Sequence, residues 1–282
     1  MYSQRKNIQV LMLLFSIVIY SQSNKHDTLR GNFTYLLKAK LNTITPEQVN
    51  EELFSLQIGD SRSFFASIQS MKRDSVIQSI SKKASENGTN FLSTKGMFIP
   101  KTKFPYTIIQ TNENIEYFQW IGVTLITYKQ NIINNWKLIN ESKKINTINC
   151  KKAEVNFKGR NWIAWYSTEI PFNYGPYKFS GLPGLIIKIT DEKGEYDFEL
   201  VKSTSSSGLK GKLITINKDR YTDAVETTQK KFEQALEDSN NNISAFLSSS
   251  GTTIIKGQEI IQQRQKEREL NKKGKNPIEL SE

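Results

Sequence analysis

The chain has 282 residues, a formal net charge of +11, one cysteine and one histidine. A single cysteine excludes an intramolecular disulfide framework, and one cysteine with one histidine cannot supply the usual ligand sets of zinc. His26 would have to be the base of any Ser-His-Asp or Cys-His arrangement, and it lies in a polar segment. We therefore predict no catalysis of that kind and no metal or cofactor.

The N-terminus has the order of segments that a secretory signal peptide requires. Arg5 and Lys6 precede an almost unbroken apolar run at residues 10–20, and small or polar residues follow at 21–23. The run is shorter than the roughly 20 residues that span a bilayer, and no cysteine follows it to carry a lipid. We predict a signal peptide at residues 1–22, with a buried helix as the alternative. Export of a soluble chain to the periplasm or cell envelope follows, with no membrane-spanning segment in the mature chain and no nucleic acid partner.

Hydrophobic periodicity predicts strands and one helix in the first half of the chain. Alternating apolar residues favour a strand at residues 33–41, and two runs at 53–58 and 62–66 flank a Gly-Asp turn and favour a hairpin. The apolar period of residues 68–84 is that of a helix. Short aromatic and β-branched runs then predict an antiparallel meander at residues 97–99, 106–110, 115–120, 123–128 and 136–139.

Two further hairpins are predicted in the middle of the chain. Residues 151–157 and 162–168 alternate on either side of the turn KGRN, and both faces of the second run are apolar, as in a central strand covered on both sides. Residues 185–190 and 196–202 flank a second polar turn, and a third strand is predicted at 212–217. So many consecutive hairpins favour one antiparallel sheet.

The last quarter of the chain has a helical period. Thr222 can cap a helix at residues 222–238, and a charged helix is predicted at 254–270. We divide the chain into the signal peptide, a β-rich domain at residues 23–220 with one inserted helix, and a helical extension of that domain at 221–282. The predicted fold class is α+β, dominated by a curved antiparallel sheet with the helices packed on it.

Prolines, glycines and aromatic residues crowd into the connection at residues 170–184, here called the aromatic loop. Pro183 followed by Gly184 favours a type II turn. The aromatic side chains would form a ligand or partner surface if they were exposed, or a plug over the sheet if they were buried, and both alternatives stay open. The candidate surface consists of Phe172, Tyr174, Tyr177, Phe179, Gly181, Leu182, Pro183 and Gly184.

The stretch WKLINESKKINTINCKKAEVNFKGRNWIAWYSTEIPFNYGPYKFSGLPGLIIKITDEKG resembles the signature region of the GLPGLI family, whose name is the hexapeptide at residues 181–186. The terminal NPIEL at residues 276–280 also fits the family pattern, and the resemblance extends over nearly the whole mature chain. It implies a secreted or envelope protein of Gram-negative bacteria without an established activity, some members being encoded near outer-membrane receptors or peptidases. The resemblance supplies no catalytic residue.

Basic residues are concentrated just before the aromatic loop. Residues 127–160 hold eight Lys or Arg against two Glu, and such a field would attract anionic surfaces, the alternative being solvated lysines on the outside of a sheet. Cys150 lies among these lysines, which would lower its pKa if it were exposed. It is either a reactive thiol that can pair with a partner's cysteine or a small buried apolar side chain.

These features together predict an exported, non-catalytic binding or accessory protein that uses the aromatic loop. Its predicted partner is an outer-membrane or envelope protein, or an anionic envelope surface. Two other functions stay open: a hydrolase with paired carboxylates, and a carrier of an apolar ligand such as a lipid in a concave sheet.

Overall fold

The computed structural model describes residues 27–88, 97–241 and 273–280. The predicted signal peptide at 1–22 and the predicted helix at 254–270 lie outside these residues. The described elements are, in chain order, β1 (Gly31–Ala39), β2 (Asn50–Ile58), β3 (Ser63–Ser67), α1 (Ile68–Glu86), β4 (Thr107–Gln110), β5 (Asn114–Ile121), β6 (Thr124–Asn131), β7 (Lys137–Ile145), β8 (Ile148–Phe157), β9 (Arg160–Ser167), β10 (Leu185–Asp191), β11 (Tyr196–Ser203), α2 (Ser206–Leu209), a 3₁₀ turn (Lys218–Arg220), β12 (Val225–Thr227) and α3 (Gln229–Asn241).

The twelve described strands form one sheet in the order β12-β6-β5-β4-β3-β2-β1-β11-β10-β9-β8-β7. Neighbouring strands are antiparallel except β12 and β6, which are parallel. The prediction of an α+β fold dominated by a curved antiparallel sheet is confirmed. The hairpin between β8 and β9 turns at Lys158 and Gly159, whose φ angles of 51° and 78° suit a two-residue turn that follows the twist of the strands.

One face of the sheet carries most of the aromatic core. Because side chains alternate along a strand, register places Tyr35 opposite Phe54 and Tyr117 opposite Tyr128 on this face. The rings of Phe54 and Phe65 stack with centroids 4.7 Å apart, and a large buried cluster extends from here to β9. We call this side of the sheet the aromatic face.

The opposite face is covered in one part by a smaller cluster around Phe64 and Phe118. Helix α1 begins beside it, where the hydroxyl of Ser67 accepts a hydrogen bond from the Ser70 amide, and Met71 packs against the cluster. Helix α3 lies on the aromatic face, since Phe232 contacts the rings of β5 and β6.

Three element predictions are wrong. Residues 97–99 form no strand, and Phe98 is 83% exposed. Residues 212–217 form no strand because their backbone donors bond elsewhere: the Thr215 amide donates to the side chain of Gln57, 2.7 Å away. The C-terminal helix begins at Gln229 rather than near 222, since the preceding residues pair with the free edge of β6 as β12.

Candidate functional site

The aromatic loop packs onto the aromatic face of the sheet. Tyr174, Tyr177, Phe179 and Leu182 are buried, and Phe172 is half-buried with its ring 5.9 Å from that of Phe33. The structure therefore shows these side chains as a buried plug over the sheet and not as an exposed surface. Gly181 and Pro183 are exposed, while Gly184 is buried.

Gly184 is required by its surroundings. A Cβ atom there would lie 2.1 Å from the carbonyl oxygen of Ser167, and its φ of 153° is disfavoured for other residues. The turn differs from the predicted type II turn: the Gly184 amide donates to the carbonyl of Leu182 at 2.8 Å, and the Leu185 amide donates to Ile170 at 3.0 Å. The connection is thus tighter than a four-residue turn and is tied to the start of the loop.

The loop carries one buried cation. Lys178 is fully buried, and its ammonium donates hydrogen bonds to the Tyr128 hydroxyl at 2.9 Å and to Oε1 of Gln130 at 2.8 Å. The ammonium also lies 5.2, 4.9 and 5.4 Å from the ring centroids of Tyr117, Tyr128 and Tyr177. We call the space lined by these five residues the Lys178 well. Burial lowers the pKa of Lys178, and the nearby Glu279 carboxylate opposes this.

Glu279 belongs to the described C-terminal segment, residues 273–280, and its side chain closes the well. Its carboxylate forms an ion pair with Lys178 and accepts hydrogen bonds from the Tyr177 hydroxyl at 2.6 Å and from the Gln229 amide at 3.0 Å. Burial raises the pKa of Tyr177 well above its usual value near 10, and the adjacent Glu279 carboxylate adds to this effect. Tyr177 is therefore a hydrogen-bond donor at neutral pH.

A second buried cation anchors the same C-terminal segment. Arg160 forms ion pairs with Asp191 at 2.8 Å and Glu195 at 2.6 Å, and it donates to the side chain of Asn276 and to the carbonyl of Pro277. Burial alone would raise the pKa of Glu195, but hydrogen bonds from Arg160 and Asn276 hold it below its usual range. Arg160 is thus an internal anchor and, being buried, does not contribute to the surface charge of the basic stretch.

Most of the remaining lysines of the basic stretch lie at an edge of the sheet. β7 is the edge strand, and Lys137, Lys143 and Lys144 on it are exposed, as is Lys151 on β8. We call these four residues the lysine edge. Lys152 forms ion pairs with Glu141 at 3.1 Å and with Glu154 at 3.2 Å. Residues 137–157 contain five Lys and two Glu, a net charge of 5 − 2 = +3.

Cys150 lies on the inner neighbour of this edge and is buried. Burial raises the pKa of its thiol above the usual value, and its sulfur contacts the Ile148 carbonyl at 3.5 Å. This placement is that of a small apolar side chain, which was the alternative to a reactive thiol.

Two open grooves lie at the described surface. One of about 590 Å³ is lined by Glu52, Arg73 and residues 99–104, and another of about 290 Å³ lies beside Lys188 and Glu195. Among the described residues, no group of three or more His, Cys, Asp or Glu is placed to hold a metal ion. None of the helices in that part of the chain is both long and apolar enough to cross a membrane.

Comparison with known proteins adds little about activity. A family model described as "Protein of unknown function (Porph_ging)" matches residues 155–188, from β8 into β10 and including the hexapeptide at 181–186. The match agrees with an uncharacterised family, while the GLPGLI name stays a prediction. No curated protein matches.

Two similar solved structures are described as "Structure of PNGF-II in P21 space group" and "Structure of PNGF-II in C2 space group", with TM-scores of 0.49 and 0.47. Both are 13% identical, and each alignment covers 74% of this chain and 33% of the other. This chain thus spans about a third of the length of those proteins. Likeness at this level carries no functional argument.

Lys178 and Glu279 were not among the site residues predicted from the sequence. A signal for the first was present: Lys178 stands between Tyr177 and Phe179 in a loop with few charges, and a charge in such an aromatic run needs a partner if the run is buried. No pattern in the sequence indicates that the partner lies 101 residues further along the chain.

Proposed function

We propose that this chain is an exported envelope protein that acts by binding, and that its lysine edge contacts an anionic lipid surface. The observation that supports this is the charge imbalance of the edge. Its lysines are exposed, whereas the two glutamates of the same strand pair are both engaged by Lys152. Because the aromatic loop is buried, the lysine edge is the better supported of the two surfaces that the sequence suggested.

Charge reversal of the lysine edge tests this proposal. Each Lys near an anionic membrane contributes about 1 kcal/mol, so replacing Lys137, Lys144 and Lys151 by Glu should reduce partitioning onto anionic vesicles at least about 100-fold. Glutamate keeps the edge strand charged, and charged side chains prevent an edge strand from pairing with another chain. A loss of vesicle binding is therefore not explained by aggregation of the variant. Binding of the unaltered chain should weaken steeply with salt.

A triple variant of α1 is the matched control. Lys72, Lys82 and Lys83 are exposed, and replacing all three by Glu changes the net charge by the same amount at a different surface. Co-sedimentation with vesicles containing an anionic phospholipid should be nearly unchanged for this control. Equal losses in the two variants would show that only net charge matters and would overturn the lysine edge as the contact surface.

Export is tested separately. N-terminal sequencing of the protein recovered from its native cells should show cleavage near residue 22. An intact N-terminus in a cytoplasmic fraction would overturn this part of the proposal.

A further inference from the structure

Three donors of the folded framework converge on one carboxylate in the Lys178 well. The ammonium of Lys178, the hydroxyl of Tyr177 and the side-chain amide of Gln229 all bond to Glu279. Lys178 and Tyr177 come from the aromatic loop, and Gln229 comes from the first turn of α3. Hydrogen bonds in which the acceptor is an ionised carboxylate are stronger than those between neutral groups.

The carboxylate itself belongs to a separate segment. Residues 273–280 lie across the framework and, apart from Glu279, are held by backbone hydrogen bonds and by the side chain of Asn276. The Asn276 side chain donates to the carbonyl of Lys40 at 2.8 Å, and the Leu280 amide donates to the carbonyl of Lys158 at 2.8 Å. The hydroxyl of Tyr196 donates to the carbonyl of Asn276. These contacts resemble those that hold an extended peptide in a groove.

We propose that the Lys178 well is a carboxylate-binding site, and that Glu279 of the C-terminal segment is its resident ligand. The framework supplies the whole donor set, whereas the C-terminal segment supplies only the acid. Removal of the Glu279 side chain would leave an ammonium buried without its counter-charge, which is strongly unfavourable. Because 11% of the Glu279 side chain is exposed, the vacated space would open to solvent, and a small free carboxylate could enter it. This inference is independent of the lysine edge.

Chemical rescue of full-length Glu279→Ala tests the proposal. The melting temperature of this variant in sodium chloride should be below that of the unaltered chain. Sodium acetate at the same ionic strength should raise it in a saturable way, by about 2–4 °C at a several-fold excess over the dissociation constant. The unaltered chain should show no acetate-specific rise, because its site is filled. If the variant is unfolded in chloride, recovery of its near-ultraviolet circular dichroism in acetate is the expected result.

Two further variants make the result specific. Glu233→Ala removes an exposed acid that also accepts a hydrogen bond from Gln229, and it should give no acetate-specific rise. Adding Lys178→Met to Glu279→Ala removes the buried cation and should abolish the rescue. The proposal is overturned if acetate stabilises Glu279→Ala no more than it stabilises the unaltered chain, or if the rescue persists without Lys178.

Discussion

Replacing Phe179 by alanine should destabilise the fold strongly, because this ring lies at the centre of the plug. Phe179 is fully buried, and the rings of Trp162, Phe157, Tyr177 and Trp136 lie 4.6 to 6.5 Å away between centroids. Truncation of a buried Phe to Ala costs about 3–5 kcal/mol, and loss of four ring contacts favours the upper end of that range.

The assay is equilibrium unfolding in urea, followed by intrinsic fluorescence. With a slope of about 3 kcal/mol per molar urea, the midpoint of Phe179→Ala should fall by about 1 to 1.7 M. Phe98→Ala is the matched control, since the same substitution at a side chain that is 83% exposed should change stability by no more than about 0.5 kcal/mol. If both variants lose less than about 1 kcal/mol, the aromatic loop is not part of the core and the plug is refuted.

Three other predictions follow from the same geometry. Gly184→Ala should cost more than Gly194→Ala, about 1–2 kcal/mol for the latter, because Gly194 also has positive φ but nothing lies near its Cβ position; equal unfolding midpoints would contradict this. Cys150, being buried with a raised pKa, should react with a thiol reagent at least about tenfold more slowly in the native chain than in urea, and rapid native labelling would show it to be exposed. Burial raises the pKa values of the tyrosines of the Lys178 well, so the folded chain is fully stable toward their ionisation below about pH 10 and loses stability as the pH rises further. Tyrosine ionisation, followed at 295 nm, should therefore coincide with alkaline unfolding. Stepwise ionisation of these tyrosines in the folded chain would refute this prediction.

The sheet could be predicted from the sequence because each hairpin is encoded locally. Lys158 and Gly159 sit between two alternating runs, and the register of β8 and β9 follows from that turn. The position of β9 as a central strand followed from Trp162 and Trp165, which lie on opposite faces and are both buried. Strand order beyond neighbouring hairpins, such as the pairing of β1 with β11, could not be read from local pattern.

Two of the three wrong element predictions have a common physical origin, which is competition for free backbone groups. Residues 212–217 have the composition of a strand, but the side chain of Gln57 takes the Thr215 amide, and the Asp27 carbonyl takes the Ile214 amide. Val225 begins a short parallel strand because the edge of β6 is available to it. Such outcomes depend on which partner is near in the folded chain, and propensity alone does not specify them.

The candidate site was predicted only in part. Proline and glycine spacing located the aromatic loop, and its burial was one of two alternatives. The Lys178 well could not be predicted, because its residues come from β5, β6 and the aromatic loop, and the groups that close it come from α3 and the C-terminal segment. These parts of the chain are distant in sequence. A long-range contact between Lys178 and Glu279 leaves no periodic signal in either segment.

Hydrogen–deuterium exchange of the full chain, with and without anionic vesicles, tests the central claim most directly. We predict that vesicles slow exchange at residues 137–151, where β7 has no neighbour on one side among the described strands, and leave residues 170–186 unchanged, since the plug is already protected. Unchanged exchange at residues 137–151 would contradict the lysine edge as the contact surface. Fast exchange of residues 170–186 that slows only when vesicles are added would contradict the aromatic loop as part of the core, and would make that loop the contact surface instead.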